Sequence, residues 1–408
     1  MRKQVDYIVN KLIEKVNPYN SVFELLDMDF FNSTSKLIVV SIGKAAYTMA
    51  KAASDKLKDK ISEGVVITKY NHSMGEIENF KIFEAGHPIV DENSIKASEY
   101  VLKITSNLTA NDTVLFLVSG GGSALFEKPL IDLKVLQDIN NQLLKSGASI
   151  NEINMIRKKL SALKGGKFAK HVEPAHIETY ILSDVIGNDL SSIASGPQVI
   201  DTTSKQDIVD IINKYDLKIS AEVKDLLMKD SIKDIHNVNN KLVGSNEILC
   251  KSCEELLKSM GYETTIVQTD YLGEAKKLGE HLGNLAIEKQ NTDKSLAYIY
   301  GGEASVIVKG NGLGGRNQEL ALSSALYLKD LKDTCVFAFG SDGTDGPTDA
   351  AGGYVDEKTY YNIGNIDKYL DDNDAYHGLA ESNGLLITGP TGSNVNDIYV
   401  LMIRREKQ

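Results

Sequence analysis

The stretch TVLFLVSGGG, residues 113–122, runs five apolar residues, Val114–Val118, through Ser119 into three consecutive glycines. A short unbroken apolar run closed by a turn signal reads as a strand buried on both faces, which is what a parallel sheet requires. Similar runs lie on either side: KLIVVSIG (36–43), GVVITK (64–69), KIFEAG (81–86) and ETYILSD (178–184). Helical patterns separate them, beginning at Lys44, spanning Ser94 to about Ser106, and filling most of 131–170. Strands alternating with helices predict an α/β domain on a largely parallel sheet. Residues 201–240 are polar and helical, and a domain boundary is expected near 236–241. A second α/β pattern follows, with strand candidates in KLVGS, TTIVQT, LAYIYGGE, SVIVKG, CVFAFGSDG, GLLITGPTG and DIYVLMI.

Composition narrows the function classes. The 408 residues carry 45 Lys and Arg against 56 Asp and Glu, a formal charge of −11. That excludes the basic stripe of a nucleic-acid binder and disfavours docking on anionic membranes. No stretch reaches the roughly 18 apolar residues of a membrane span. The start of the chain shows no signal peptide. Val5, Ile8, Val9, Leu12, Ile13 and Val16 instead mark one face of an amphipathic helix. A cytoplasmic protein is expected. Cys250, Cys253 and Cys335 give no disulfide framework, and the C-x-x-C pair falls in a helical pattern, so a structural reading is expected for it. The seven histidines show no zinc-ligand spacing.

Chemistry is expected in the loops that follow the strands, because open α/β sheets bind ligands beyond the carboxyl ends of their strands. Sixteen of the 33 glycines fall in residues 301–408, where backbone must approach something closely. Lys44 opens a helix after a buried strand, placed for an anion. Gly120, Gly121, Gly122 and Ser123 offer successive backbone N–H groups, a candidate phosphate cradle. Asp184 ends a strand, with Asn188 and Asp189 in the loop beyond it. Glu303 follows another strand. Gly310, Gly312 and Gly315 satisfy G-x-G-x-x-G, a dinucleotide fingerprint. The match comes late in the chain, and the next strand brings no ribose-binding acid. Arg316 at the following helix start fits an anion clamp better. Asp342, Asp345 and Asp349 crowd a loop able to meet Mg²⁺, and Asn394 sits in a last glycine turn. The run Arg157 to Lys170 reads as a solvated helix face. Together these are the parts of phosphoryl transfer: cations and amides for phosphate charge, acids for metal and hydroxyl.

Eight motifs in order, SIGKAA, AGHPIVDENS, VSGGGSAL, INMIRKKLSALKGGKFA, LSDVIGNDLSSIASGP, GGEASVIVKGNGLGGRNQELAL, GSDGTDGPTDAAGG and GPTGSNVND, resemble the glycerate 2-kinase family with its C-terminal MOFRL domain. The resemblance runs from about residue 38 to the end. It implies a Rossmann-like parallel-sheet N-terminal domain over 1–236, a smaller α/β domain over 237–408, and an active site in the cleft between them. It implies transfer of the ATP γ-phosphoryl group to the 2-hydroxyl of D-glycerate, with Mg²⁺ or another divalent cation. The metal ligands are left unassigned. Lys44 and Arg316 take the leading roles, followed by Asp184, Glu303 and Asp342. Gly120–Gly122 with Ser123, Asn188, Asp189 and Asn394 are expected to hold the cofactor. Ser393 stands where the family's T-G-T-N-V turn commonly has threonine. The expected partners are D-glycerate and ATP, with no nucleic acid and no membrane. A homodimer is compatible with the sequence, which does not fix the oligomeric state. An NAD(P)-dependent hydroxypyruvate reductase, a kinase for another small hydroxy acid and a non-catalytic metabolite sensor are the competing readings.

Overall fold

The computed structural model describes residues 1–405. The chain divides into two compact units: Ser21–Val243, the N-terminal unit, and Met1–Asn20 joined with Gly244–Gln408, the C-terminal unit. The return to the C-terminal unit falls a few residues beyond the expected boundary. The first helix, Arg2–Lys15, is the larger departure: it belongs with the far end of the chain. Its apolar face explains why, since Val5, Ile8, Val9, Leu12 and the following Val16 are all buried.

The N-terminal unit is built on six strands: β1 Leu37–Ile42, β2 Ile61–Lys69, β3 Phe80–Ala85, β4 Thr113–Val118, β5 His176–Leu182 and β6 Val238–Gly244. Their order is β3-β2-β1-β4-β5-β6, and the pairings from β3 to β5 are parallel. This is the doubly wound order, in which the direction of winding reverses between β1 and β4. Every residue of β1 and β4 is buried. Both strands are continuous apolar runs because helices cover both faces of the sheet. The reversal leaves the loops after β1 and β4 facing one crevice.

The basic run at 157–170 corrects an expectation. It is not a solvated face: Lys158 and Lys159 are buried and Lys164 is fully so. Lys164 Nζ donates to the Phe126 carbonyl at 2.9 Å and pairs with Glu127 at 3.2 Å. Lys167 Nζ donates to the carbonyls of Lys158 and Ser161 at 2.5 and 2.7 Å. Burial brings the Lys167 ammonium down to about 8. Buried charge is tolerated when paired and hydrogen-bonded, and here carbonyls and acids supply those partners.

The C-terminal unit carries a mixed sheet: β7 Glu263–Tyr271, β8 Leu296–Gly302, β9 Thr334–Gly340, β10 Gly352–Asp356, β11 Leu385–Leu386 and β12 Asp397–Ile403, in the order β11-β10-β9-β12-β8-β7. Only β7 and β8 pair in parallel; β12 lies antiparallel between β8 and β9. SVIVKG forms no strand. Beyond one isolated bridge at Ser305 it is loop, and Lys309 N and Gly310 N both donate to Asn373 Oδ1, at 2.7 and 2.9 Å. Conversely, β10 begins with two glycines and was not expected. Cys250 and Cys253 are buried on the helix Asn246–Ser259, and burial pushes the Cys250 thiol up to about 12. No helix of the described residues is long and apolar enough to cross a membrane.

Candidate active site

In the N-terminal unit the loops after β1 and β4 interlock. Gly43 has φ +111°, and a Cβ there would meet the Ser119 carbonyl oxygen at 2.4 Å. Lys44 N donates to the Gly120 carbonyl at 2.9 Å, and Ala45 N to Ser119 Oγ at 3.1 Å. Lys44 is thus fixed at its backbone beside the glycine turn. Gly120 and Gly121 are there for what lies on them. A Cβ on Gly120 would sit 2.0 Å from Asp184 Oδ2, and one on Gly121 (φ +90°) 3.1 Å from His87 Nε2 and 3.4 Å from Lys44 Cγ. Among the described residues, none accepts from the N–H groups of Gly120, Gly121 or Gly122. Three successive glycine amides beside the Lys44 side chain make a candidate anion cradle. Ser123 Oγ lies 2.9 Å from Ser195 Oγ, which donates to Asn154 Oδ1.

His87 is the residue that sequence reasoning missed. A lone histidine without ligand spacing carries no signal, although AGHPIVDENS contains it. Burial holds its imidazole below the ordinary range, with Lys44, Lys69 and His72 adding to the effect. It is therefore neutral at pH 7, in a neighbourhood of excess positive charge. Asp189, expected at the cofactor, is engaged locally in this structure. Asp189 spends its oxygens on its own turn, accepting from Ser191 N and from Ser191 Oγ and Ser192 Oγ at 3.0, 2.8 and 2.6 Å.

In the C-terminal unit Arg316 is the first residue of the helix Arg316–Leu328. Its Nε and Nη2 donate to the two oxygens of Asp397 at 2.5 and 3.1 Å, and Nη1 donates to Glu303 Oε1 at 3.0 Å. Burial alone would lower the guanidinium pKa, but the Asp397 hydrogen bond and charge outweigh it and raise it. Five N–H groups less three leaves two for a ligand. Asp397 opens β12 with 1% exposure and also accepts from Tyr399 Oη at 3.2 Å. Glu303 Oε2 accepts from Asn396 Nδ2 at 3.4 Å, and Asn394 Oδ1 from Asn396 N at 3.1 Å. Asp342 Oδ1 accepts from Thr344 N at 2.9 Å. Ser393 keeps a use for its hydroxyl, donating to the Val16 carbonyl at 2.8 Å.

Asp345 caps the same helix, accepting from Asn317 N at 3.1 Å and Gln318 N at 2.8 Å. Burial pushes its carboxyl up to about 7 against those two amides. The G-x-G-x-x-G loop is equally committed. Asn311 N and Leu313 N donate to the carboxylates of Asp372 and Asp374, each at 2.9 Å, and Gly312 N to the Asp372 carbonyl at 2.8 Å. A Cβ on Gly310 or Gly312 would lie 2.3 or 2.4 Å from atoms of Asp372 or Asp374. Gly310 and Gly312 serve loop packing, and Asp345 already occupies the helix-start amides of Asn317 and Gln318 that a pyrophosphate would use.

The family model described as a domain of unknown function, DUF4147, matches residues 4–228, and the MOFRL family model matches 296–397. D-glycerate 2-kinase of Thermotoga maritima is 45% identical over 99% of this chain and 98% of its own length. Glycerate 2-kinase of Pyrococcus horikoshii is 38% identical over 98% of this chain and 97% of its own. A crystal structure of Thermotoga maritima glycerate kinase superposes with a TM-score of 0.94 at 45% identity, covering 98% of this chain and 99% of that one. Full-length likeness at this identity, with both domain models in the same order, places the chain in the glycerate 2-kinase family.

Proposed function

We propose that this chain transfers the γ-phosphoryl group of ATP to the 2-hydroxyl of D-glycerate, yielding 2-phosphoglycerate and ADP. The observation that carries the reading is the cradle of Gly120–Gly122, with Lys44 and Asp184 against it. Its amides and the ammonium spread charge on the transferring group. Asp184 accepts the proton of the glycerate 2-hydroxyl as that oxygen bonds to phosphorus and the bond to the ADP oxygen breaks. His87, neutral at pH 7, donates one hydrogen bond to the same anion without adding charge. Arg316 offers its two remaining N–H groups to an oxyanion. Its plane is locked by Asp397 and Glu303, so little orientational freedom is lost on binding.

Among the described residues no three His, Cys, Asp or Glu side chains cluster as a metal cage. An ion carried in on the nucleotide would need only one or two protein carboxylates. Asp342, with one oxygen committed to Thr344 N, would be its protein contact. Such an ion would neutralise charge between the β- and γ-phosphates.

The test is ³¹P NMR of a reaction containing ATP, Mg²⁺ and D-glycerate. A 2-phosphomonoester resonance is expected, formed in step with ADP. Oxidation of D-glycerate by NAD(P)⁺ without ATP would instead establish the reductase. Lys44→Ala is expected to lower kcat by about 10²–10³, the usual loss for one oxyanion donor.

A further inference from the structure

The C-terminal unit holds a cavity of about 640 Å³ beside Arg316. Ala304, Val306, Val308, Pro347 and Ala375 give it an apolar side, and Gly312, Gly314 and Gly315 a side without side chains. Its size lies within the roughly 300–1,000 Å³ of small-molecule sites. D-glycerate has three carbons, each bearing oxygen, and no apolar face to set against such walls. Charge argues in the same direction. Glu303, Glu319 and Asp345 line the cavity, and the one cation, Arg316, is already paired with Asp397 and Glu303. Beyond the two open N–H groups of Arg316, an anionic group would find no further cation in this lining, only acids.

Glu319 shows what the cavity can recognise. It is 5% exposed, and its one side-chain hydrogen bond is from Asn373 Nδ2 to Oε2 at 3.0 Å. A buried carboxylate in a cavity wall seeks further donors. Val308, by contrast, is 73% exposed at the rim, an apolar side chain lacking cover. The occupant must be uncharged, flat or apolar over part of its surface, and rich in N–H and O–H donors. We infer that this cavity takes the nucleoside portion of the phosphoryl donor, with its base between the apolar and glycine walls and its amino or ribose hydroxyl donors on Glu319. The inference rests on the ATP-dependent reading above and assigns the donor's base and sugar to the C-terminal unit alone. The phosphate chain, being anionic, lies outside the acidic cavity.

Calorimetric titration of the full chain with ADP, and separately with D-glycerate, tests it on wild type, Val308→Asp and Glu319→Gln. Val308→Asp changes an exposed loop side chain, so folding is retained; Glu319→Gln keeps the acceptor facing Asn373. Each variant is expected to weaken ADP binding at least fivefold and leave D-glycerate affinity within twofold of wild type. Unchanged ADP affinity in Val308→Asp, or loss of D-glycerate affinity alone, overturns the inference. The kinase reading fails separately, if wild type forms no ADP from ATP and D-glycerate by ³¹P NMR.

Discussion

A methyl group at position 120 has nowhere to go. Its carbon would fall 2.0 Å from Asp184 Oδ2, so Gly120→Ala must push the carboxylate off the turn that Lys44 and His87 also approach. Displacements of this kind cost reactivity before they cost stability. Gly120→Ala is expected to reduce kcat at least tenfold while the thermal midpoint moves by only a few degrees, measured by steady-state kinetics and scanning calorimetry. Arg316 behaves differently, because its removal strands Asp397 as a buried, unpaired carboxylate. Arg316→Ala is expected to cost about 3–5 kcal/mol of stability in addition to turnover, read from urea unfolding. Arg316→Lys should recover part of the stability but not the paired hydrogen bonds. The sequence made Lys44, Asp184 and Arg316 legible because each follows a strand at a turn. It did not reveal Asp397 as the partner of Arg316, since an acid 81 positions away at the start of an apolar run carries no local sign of the pairing.

At the scale of elements, periodicity found the strands whose apolar runs are buried, and erred where apolar residues face outward. In SVIVKG, Ile307 and Val308 are exposed, and side chains of the 372–374 segment take the backbone groups that a sheet neighbour would use. The basic run failed for the opposite reason: charge was read as solvent exposure, whereas Glu127, Asp201 and several carbonyls receive it internally. The helix Arg316–Leu328 is capped by Asp345, whose carboxyl burial pushes up to about 7. A raised carboxyl pKa means the folded state holds a proton that the unfolded chain has released. Stability attributable to Asp345 is therefore full below about pH 4 and falls as pH rises to about 7, by a few kcal/mol. Asp345→Asn has no such titration. Relative to wild type it should gain stability steadily from pH 4 to 7, and parallel urea-unfolding curves across that range would refute the assignment. Cys250 and Cys253 should meanwhile resist Ellman's reagent until the protein unfolds, as buried thiols with raised pKa do.

Over the whole molecule, the two α/β patterns were readable, because strand patterning restarts after a polar helical stretch. The interleaving of the chain was not. An amphipathic helix announces that it will bury one face but not which surface will cover it, and here that surface includes the helix Asn246–Ser259, more than 220 residues downstream. The consequence is testable by dissection. Val5, Ile8, Val9, Leu12 and Val16 are each at most 3% exposed in the C-terminal unit. At roughly 1.5–3 kcal/mol per fully buried aliphatic side chain, they contribute on the order of 10 kcal/mol, as much as the whole net stability of an ordinary domain. A fragment of residues 21–243 retains every strand of its sheet except the final Gly244 and is expected to unfold cooperatively on heating. Residues 244–408 lack the helix and should give a broad or absent transition, with exposed apolar surface that binds anilinonaphthalene sulfonate. Adding a synthetic peptide of residues 1–20 should restore the transition in proportion to its concentration. A sharp transition for 244–408 alone, unmoved by the peptide, would mean that the first helix is a passenger on that unit and not part of its core.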